Sequence, residues 1–296
     1  MTPRRSRMQR TPSDKRLALT TRDLAIFEAL ANYRYLNSVY LHAFVGGASE
    51  TRFKERLGSL FHEGFLDRPE KQWGFAEARY RPAVYELGSG GRRALLESGR
   101  ASTPRTYLSR EAQRQFQHAV MICAAVASIE LAAREKPELR FIPWGEILAR
   151  APVREGVAPL CLTTGNVTIV PDALFGLEYL NEGRKAYRFF ALEADRGTMP
   201  IARSDGRQTS MLAKLAGYRT IIEQGAPKAC LGVPNLLVLT VTTSESRCTE
   251  IMRKLAPESS PLFLFKSIAP DGTAPQPDLL TAPWLRAGLE DFAIDR

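Results

Sequence analysis

The chain has 296 residues of ordinary globular composition, 44% hydrophobic and 25% charged, which excludes a disordered chain, a collagen-like fibre and a coiled-coil rod. Four widely spaced cysteines and only three histidines argue against a disulfide framework or a structural zinc site. The longest apolar stretch, residues 119–129, is too short to span a membrane. No apolar segment of the kind found in secretory signals follows the basic start, so we expect a cytoplasmic protein.

The net charge of +9 lies entirely in the first third of the chain. Residues 1–110 hold 20 Lys/Arg and 11 Asp/Glu, whereas the remaining residues hold 21 of each. Residues 1–16 alone carry a net charge of +5, and we predict that they form a basic disordered arm. Concentrated positive charge attracts nucleic acid, because each neutralised phosphate releases counterions. A solubility tail is the alternative interpretation of the arm.

Residues 17–100 are predicted to form three helices followed by a hairpin. Side chains that cap helices precede three runs of apolar residues at helical spacing: these are Thr20 with Asp23, Asn37 and Ser49. Two strand-like segments follow, 65–68 and 79–87, joined by a long polar connection. This order is typical of a winged helix-turn-helix domain, whose third helix enters the major groove of DNA.

The third predicted helix carries a polar face suited to reading DNA. That face consists of Thr51, Arg52, Lys54, Glu55 and Arg56. Arg52 and Arg56 lie one helical turn apart, so together they can address a guanine edge or a phosphate. Lys71 and Arg79 in the following connection suit a wing along the sugar-phosphate backbone. We therefore predict double-stranded DNA as the partner, with docking of another protein as the alternative.

The second half of the chain is predicted to be an α/β domain with a mixed sheet. Residues 101–110 form the predicted linker, 111–255 the domain and 256–296 a C-terminal extension. Within the domain the predicted elements are a helix over 109–135, a Pro- and Gly-marked loop region over 143–159, strands at 167–170, 187–193 and 236–241, and a helix over 209–223. Alternation of strands with helices is the basis for this fold class.

Acidic residues stand at the ends of two of these predicted strands. Asp172 follows the first, and Glu193 and Asp195 end the second. A hairpin would bring Asp172 and Glu193 to one sheet edge, while Glu193 and Asp195 share a face because strand side chains alternate. Converging carboxylates are the ligands that Mg²⁺ prefers. These three residues are therefore the predicted metal ligands.

Three segments carry a family resemblance: Leu19–Leu30, Tyr33–Leu36 and Arg56–Arg68. They resemble the replication-relaxation family, whose members are proteins of plasmids, integrative elements and phages with a winged helix at the start, and the resemblance continues over residues 17–255. It implies a DNA-associated protein of a mobile element.

The carboxylate segment is also similar to the core of PD-(D/E)xK nucleases, in which a proline–aspartate precedes an acid-x-lysine strand. This resemblance implies that Asp172 and Glu193 are metal ligands. Asp195 occupies the place of the lysine, so Lys214 on the following helix would supply a migrated lysine to orient water or stabilise charge on a phosphate. The implied catalytic set is Asp172, Glu193, Asp195 and Lys214. The alternative is an inactive nuclease-like scaffold in which these residues form ion pairs.

Three functional hypotheses follow. The first is sequence-directed binding of double-stranded DNA in replication control, mobilisation or transcription of a mobile element. The second is a Mg²⁺-dependent DNA endonuclease of degenerate PD-(D/E)xK type. The third is an adaptor whose winged helix docks on a replication or transfer protein. Whether the protein forms a homodimer is left open.

Overall fold

The computed structural model describes residues 6–13, 17–74, 78, 80–100, 116–153, 158–202, 210–258, 260–269 and 272–296. The chain divides into two compact units. Unit 1 comprises residues 1–127 and 273–275, and unit 2 comprises residues 128–272 and 276–296. The division falls within a helix, α5 (Phe116–Arg134). The predicted linker 101–110 lies outside the described residues.

Unit 1 contains the three predicted helices and their predicted caps. Its elements are α1 (Thr21–Tyr33), β1 (Leu36–Asn37), α2 (Ser38–Val45), α3 (Glu50–His62), β2 (Leu66–Asp67), a 3-10 helix (Glu70–Gly74), β3 (Val84–Leu87) and α4 (Ser89–Glu97). Thr20 and Asp23 form a reciprocal capping box at α1, and the side chains of Asn37 and Ser49 accept hydrogen bonds from the first turns of α2 and α3. Because each cap satisfies backbone donors that the helix itself leaves open, the helix starts follow from the sequence.

The predicted hairpin is confirmed, and a third strand joins it. The sheet order is β1-β3-β2, and both pairs are antiparallel. Helix α4 begins directly after β3 and runs close to the chain that precedes β2. A Cβ at Gly91 would lie 2.4 Å from the carbonyl oxygen of Phe65, so this approach requires glycine. Large apolar side chains from all three helices fill the core, among them Phe27, Leu30, Leu41, Phe53 and Leu57.

Unit 2 is built on a seven-stranded mixed sheet, as predicted for this half of the chain. Its strands are β4 (Leu139–Pro143), β7 (Ala173–Asn181), β8 (Arg184–Asp195), β9 (Leu237–Thr242), β10 (Phe263–Ser267), β11 (Trp284–Arg286) and β12 (Leu289–Phe292), in the order β12-β11-β10-β9-β8-β7-β4. Strands β8, β9 and β10 are mutually parallel, and the other neighbours are antiparallel.

Helices connect the parallel strands. The helices of unit 2 beyond α5 are α6 (Trp144–Arg150), α7 (Met211–Glu223), α8 (Ala226–Leu231), α9 (Glu245–Leu255) and α10 (Asp278–Thr281). The chain passes through α7 and α8 between β8 and β9, and through α9 between β9 and β10. Parallel strands need such crossovers, and the carboxyl ends of β8 and β9 therefore meet at one edge of the sheet, beside the starts of α7 and α9.

Two predictions about this half were wrong in detail, the loop region and the strand that pairs with β8. The predicted loop region 143–159 contains the end of β4 and all of α6. The predicted strand 167–170 is β6 (Val167–Ile169), which pairs with β5 (Leu162–Thr164) in a separate two-stranded sheet. The strand that neighbours β8 is instead β7, whose first seven residues are all buried. A strand buried on both faces lacks the alternation by which strands are recognised.

The predicted extension 256–296 belongs to unit 2 except for residues 273–275. Strands β10, β11 and β12 complete one side of the large sheet. Trp284 in β11 is fully buried, and its indole nitrogen donates to the carbonyl of Leu279 at 2.9 Å. This segment therefore belongs to the core of the unit.

Helix α5 is the one described helix with the length and composition of a membrane span. However, 72% of its apolar window is buried inside the protein. Such burial is typical of the core helix of a soluble protein.

Candidate nucleic-acid interface and carboxylate cluster

The polar face of α3 is exposed as predicted for four of its five residues. Thr51, Arg52, Lys54 and Glu55 are exposed, while Phe53 and Leu57 on the opposite side are buried. Lys54 pairs with Glu50 one turn earlier at 3.0 Å, and both side chains are more than half exposed. An exposed pair of this kind contributes little to stability, so Lys54 can leave Glu50 and pair with another anion.

Arg56 departs from the prediction, because its guanidinium binds inside unit 1. Its Nε lies 2.9 Å from Oδ1 of Asp23, and its Nη2 lies 2.5 Å from Oδ2 of the same carboxylate. Nη2 also donates to the carbonyl of Ala18 at 2.7 Å. Burial raises the pKa of Asp23, but hydrogen bonds from Arg56 and Thr20 outweigh it and leave this pKa below its ordinary value. Arg56 therefore ties α3 to the start of α1.

Hydrogen bonds brace the base of the connection between β2 and β3. Buried Gln72 donates to the carbonyls of Pro69 and Val84 at 3.0 Å each and accepts from the amide of Val84 at 2.8 Å. Lys71 is exposed, and Tyr80 nearer the tip is 82% exposed. The predicted DNA contact Arg79 lies outside the described residues.

The arm, predicted to be disordered over residues 1–16, is bonded to unit 1 in its described part, 6–13. The amide of Thr11 donates to Nδ1 of His62 at 3.0 Å, and Ser13 donates to Glu63 from both its amide and its hydroxyl. These acceptors lie at the end of α3. Residues 6–13 are thus part of the folded unit.

Asp172 and Glu193 are brought together, although by a different strand pair from the one predicted. Asp172 immediately precedes β7, and in the β7–β8 register Ala173 lies opposite Leu192. Asp172 is therefore beside Glu193, and its Oδ2 accepts from the amide of Ala194 at 3.0 Å. The start of β7 and the end of β8 therefore place the two residues at one edge of the sheet.

Lys214 reaches the same place from α7, as predicted. Its ammonium binds Oε2 of Glu193, and the hydroxyl of Tyr218, one turn further along the helix, donates to Oε1. Glu193 is 2% exposed and Tyr218 is fully buried. Burial raises the pKa of Glu193 to about 8, helped by the negative charge of Asp172 and opposed by Lys214 and Tyr218.

Asp195 has separate partners. Its Oδ2 accepts from Nε of Arg247 at 2.7 Å, and its Oδ1 accepts from the amide of Gly197 at 2.8 Å. Arg247 comes from α9, beyond the neighbouring strand β9, and also donates to the carbonyl of Met199. Glu193 and Asp195 share a strand face, but each is held by a cation from a different helix.

The residues do not fit the predicted magnesium site. Within the described parts of the chain, no group of three His, Cys, Asp or Glu side chains is arranged to hold a metal ion. Lys214 and Arg247 already bring positive charge to Glu193 and Asp195, and a divalent cation at the same oxygens would face their repulsion. The arrangement is an ion-pair network, which is the alternative interpretation of these residues.

Two members of this cluster were not predicted from the sequence. Tyr218 follows Lys214 by four residues, a spacing that places both on one helix face, so the sequence carried a signal for it. Arg247 lies 52 residues beyond Asp195, and the sequence offers no signal for their pairing. Thr240, opposite Glu193 on β9, is fully buried, and its hydroxyl has no hydrogen-bond partner among the described residues.

A comparison with known proteins matches the chain to a protein family. The family model described as replication-relaxation matches residues 27–236, which span most of both units. The chain matches no curated protein and no solved structure.

Proposed function

Because this chain belongs to the replication-relaxation family, we propose that it is a DNA-binding protein of a mobile genetic element, active in replication control, mobilisation or transcription. The family links the chain to replication and to mobile elements. In this proposal unit 1 binds duplex DNA in the cytoplasm, and unit 2 provides a nuclease-like scaffold.

The order of elements in unit 1 supports a winged-helix assignment. A strand lies between the first two helices, the third helix leads into a hairpin, and the three strands pair in the order β1-β3-β2. In a winged helix the third helix enters the major groove and the hairpin connection forms the wing. We therefore assign α3 as the groove helix and residues 68–83 as the wing.

The exposed basic face of α3 is the observation that carries the proposal. Arg52 and Lys54 stand in the first half of this helix, the half that faces base edges when such a helix enters a groove. They lie in the part of the chain that holds the whole net charge of +9. A positive helix face next to an exposed wing is suited to a phosphate-lined groove.

The test compares two double variants of the full chain by fluorescence anisotropy on random-sequence duplex DNA. The first is Arg52→Ala/Lys54→Ala. The matched control is Arg253→Ala/Lys254→Ala on α9 of unit 2, where both residues are exposed and Lys254 pairs with Glu250 one turn earlier, as Lys54 does with Glu50. Both variants remove two positive charges from an exposed helix face.

We expect the α3 variant to bind at least about tenfold more weakly. The slope of its log affinity against log salt concentration should decrease by about one for each phosphate that the variant no longer binds. The α9 variant should bind as the wild type does. If both variants bind equally well, α3 is not the DNA-binding helix. If the wild type binds no duplex at all, the adaptor hypothesis replaces DNA binding.

One observation favours a second candidate, a DNA endonuclease in unit 2. Asp172, Glu193 and Lys214 stand together, as the acids and lysine of PD-(D/E)xK nucleases do. The pairing of Glu193 with Lys214 and Tyr218 argues for an inactive scaffold instead. Supercoiled plasmid incubated with the protein and Mg²⁺ or Mn²⁺ should stay intact. Nicking that Asp172→Asn abolishes would establish the endonuclease.

A further inference from the structure

The described part of the arm makes contacts at both ends of the segment that joins α3 to the wing. At the α3 end the acceptors belong to its last residues and to β2. Arg10 donates through Nε to the carbonyl of Phe61 at 2.9 Å and through Nη2 to the carbonyl of Leu66 at 3.1 Å, and it also pairs with Asp67. The last carbonyls of a helix lack intrahelical partners and carry partial negative charge. The Arg10 fork therefore joins the end of α3 to β2.

At the wing end the contacts involve Arg7. Its guanidinium donates to the carbonyl of Arg81 at 2.5 Å and lies 5.2 Å from the ring centroid of Trp73. In return Arg68 donates to the carbonyl of Arg7 at 2.8 Å, and its other Nη binds the hydroxyl of Tyr85. Both sides of the wing, the 3-10 helix and the segment before β3, are thus attached to the arm.

From these contacts we infer that residues 7–10 act as a strap that fixes the wing relative to the groove helix α3, with Arg7 and Arg10 as positioning residues. The inference rests on the proposed function, in which α3 and the wing contact the same duplex. Strand β3 pairs at two positions with β2 and at two with β1, so the sheet that carries the wing is short and gains from further contacts. The strap supplies a second connection between the wing and the helix.

This role differs from that of a flexible basic tail. A tail attracts phosphate through charge alone, so a lysine serves it as well as an arginine. In the strap, the planar fork of Arg10 instead reaches the carbonyls of Phe61 and Leu66 and the carboxylate of Asp67, an arrangement that a lysine ammonium does not reproduce. Arg10→Lys keeps the charge and removes the fork, so it separates the two roles.

The test uses the full chain and a duplex selected by it from a random-sequence library. Arg10→Ala and Arg10→Lys are compared with the wild type for affinity and for hydroxyl-radical footprint, and Arg7→Lys is a second variant at the exposed wing end. We expect both Arg10 variants and Arg7→Lys to bind roughly tenfold more weakly, equivalent to losing about one charge-assisted hydrogen bond to phosphate. The footprint should disappear at the flanking backbone and remain at the positions bound by α3.

Retention of wild-type affinity and footprint by Arg10→Lys and Arg7→Lys would overturn the inference, whether or not Arg10→Ala weakens binding. Hydrogen exchange without DNA separates this failure from a failure of the proposed function. If the strap exists, Arg10→Lys speeds exchange of the amides at 66–67 and 84–87 and leaves α1 unchanged. Absence of duplex binding by the wild type would refute the proposed function, whereas unchanged exchange in the variant would refute the strap.

Discussion

Replacing Arg56 tests whether a basic residue on the groove helix serves DNA binding or the fold. Arg56→Ala removes the guanidinium that holds Asp23, whose side chain is 2% exposed, while that of Arg56 is 29% exposed. Asp23 keeps its hydrogen bonds from the amide and hydroxyl of Thr20 at 2.7 and 2.8 Å. The buried charge is therefore left with half of its donors.

The cost follows from the general cost of breaking a buried ion pair. Removing one partner costs about 3–5 kcal/mol in a fully buried pair. The partial exposure of Arg56 and the remaining Thr20 bonds reduce this, so we expect a loss of about 2–3 kcal/mol in the free energy of unfolding. Arg52→Ala, on the exposed side of the same helix, should change it by less than about 0.5 kcal/mol.

Urea denaturation followed by circular dichroism measures both losses, and hydrogen exchange of α1 and α3 assigns the transition to unit 1. The pKa of Asp23 is lowered by folding from 3.8, so the stability that Asp23 contributes is present above that value and is lost as the pH falls through the folded pKa. The difference in the free energy of unfolding between the wild type and Arg56→Ala should therefore decrease as the pH falls through this range. An Arg56→Ala protein as stable as Arg52→Ala at neutral pH would refute the reasoning.

Two further predictions concern the cluster in unit 2 and the packing of unit 1. The folded pKa of Glu193 is raised from 4.5 to about 8, so its stabilising contribution is complete below 4.5 and is lost as the pH rises through 8. Glu193→Gln should therefore melt progressively higher relative to the wild type between pH 5 and 9, in thermal scans at intervals of about one pH unit. If the melting temperatures of the two proteins change in parallel with pH, the raised pKa of Glu193 is contradicted. Gly91→Ala should destabilise unit 1 by at least about 2 kcal/mol, because the added Cβ meets the Phe65 carbonyl. Gly145→Ala, with nothing within 4 Å of its Cβ, should stabilise by up to about 1 kcal/mol, and equal effects at the two glycines would refute the packing argument.

The fold of unit 1 was predictable because its signals are local. Capping side chains and apolar residues spaced at three and four positions fix each helix within a few residues of chain. The pairing of Arg56 with Asp23 joins residues 33 positions apart, and an exposed and a half-buried arginine look alike in a sequence. The helix was therefore predicted, and the role of one residue on it was not.

In unit 2 the meeting of Asp172 and Glu193 was predicted through a wrong strand assignment. The sequence pattern places Asp172 at the end of a strand, whereas it stands at the start of β7. Its position before β7 places it at the open end of the β7–β8 hairpin, opposite the end of β8. The buried strand itself was missed because its apolar run fits a core helix or a strand equally well. The pairing of Arg247 with Asp195 was not predictable for a different reason. Arg247 lies in the crossover after β9, so it reaches Asp195 only because β8 and β9 are neighbours in the sheet.

Not all the arginines of unit 1 that add to the positive electric field of the protein are free to contact a ligand. Several of them bind backbone carbonyls, which are neutral, so their charge still adds to the positive field around the unit: these are Arg7, Arg22 and Arg68. If the protein binds DNA as proposed, a guanidinium held by a carbonyl attracts it at a distance but is not free to follow a phosphate. Direct contact would then fall to exposed side chains such as Arg52, Lys54 and Lys71. Association should therefore be fast at low salt, while the number of counterions released should be well below the net charge of +9.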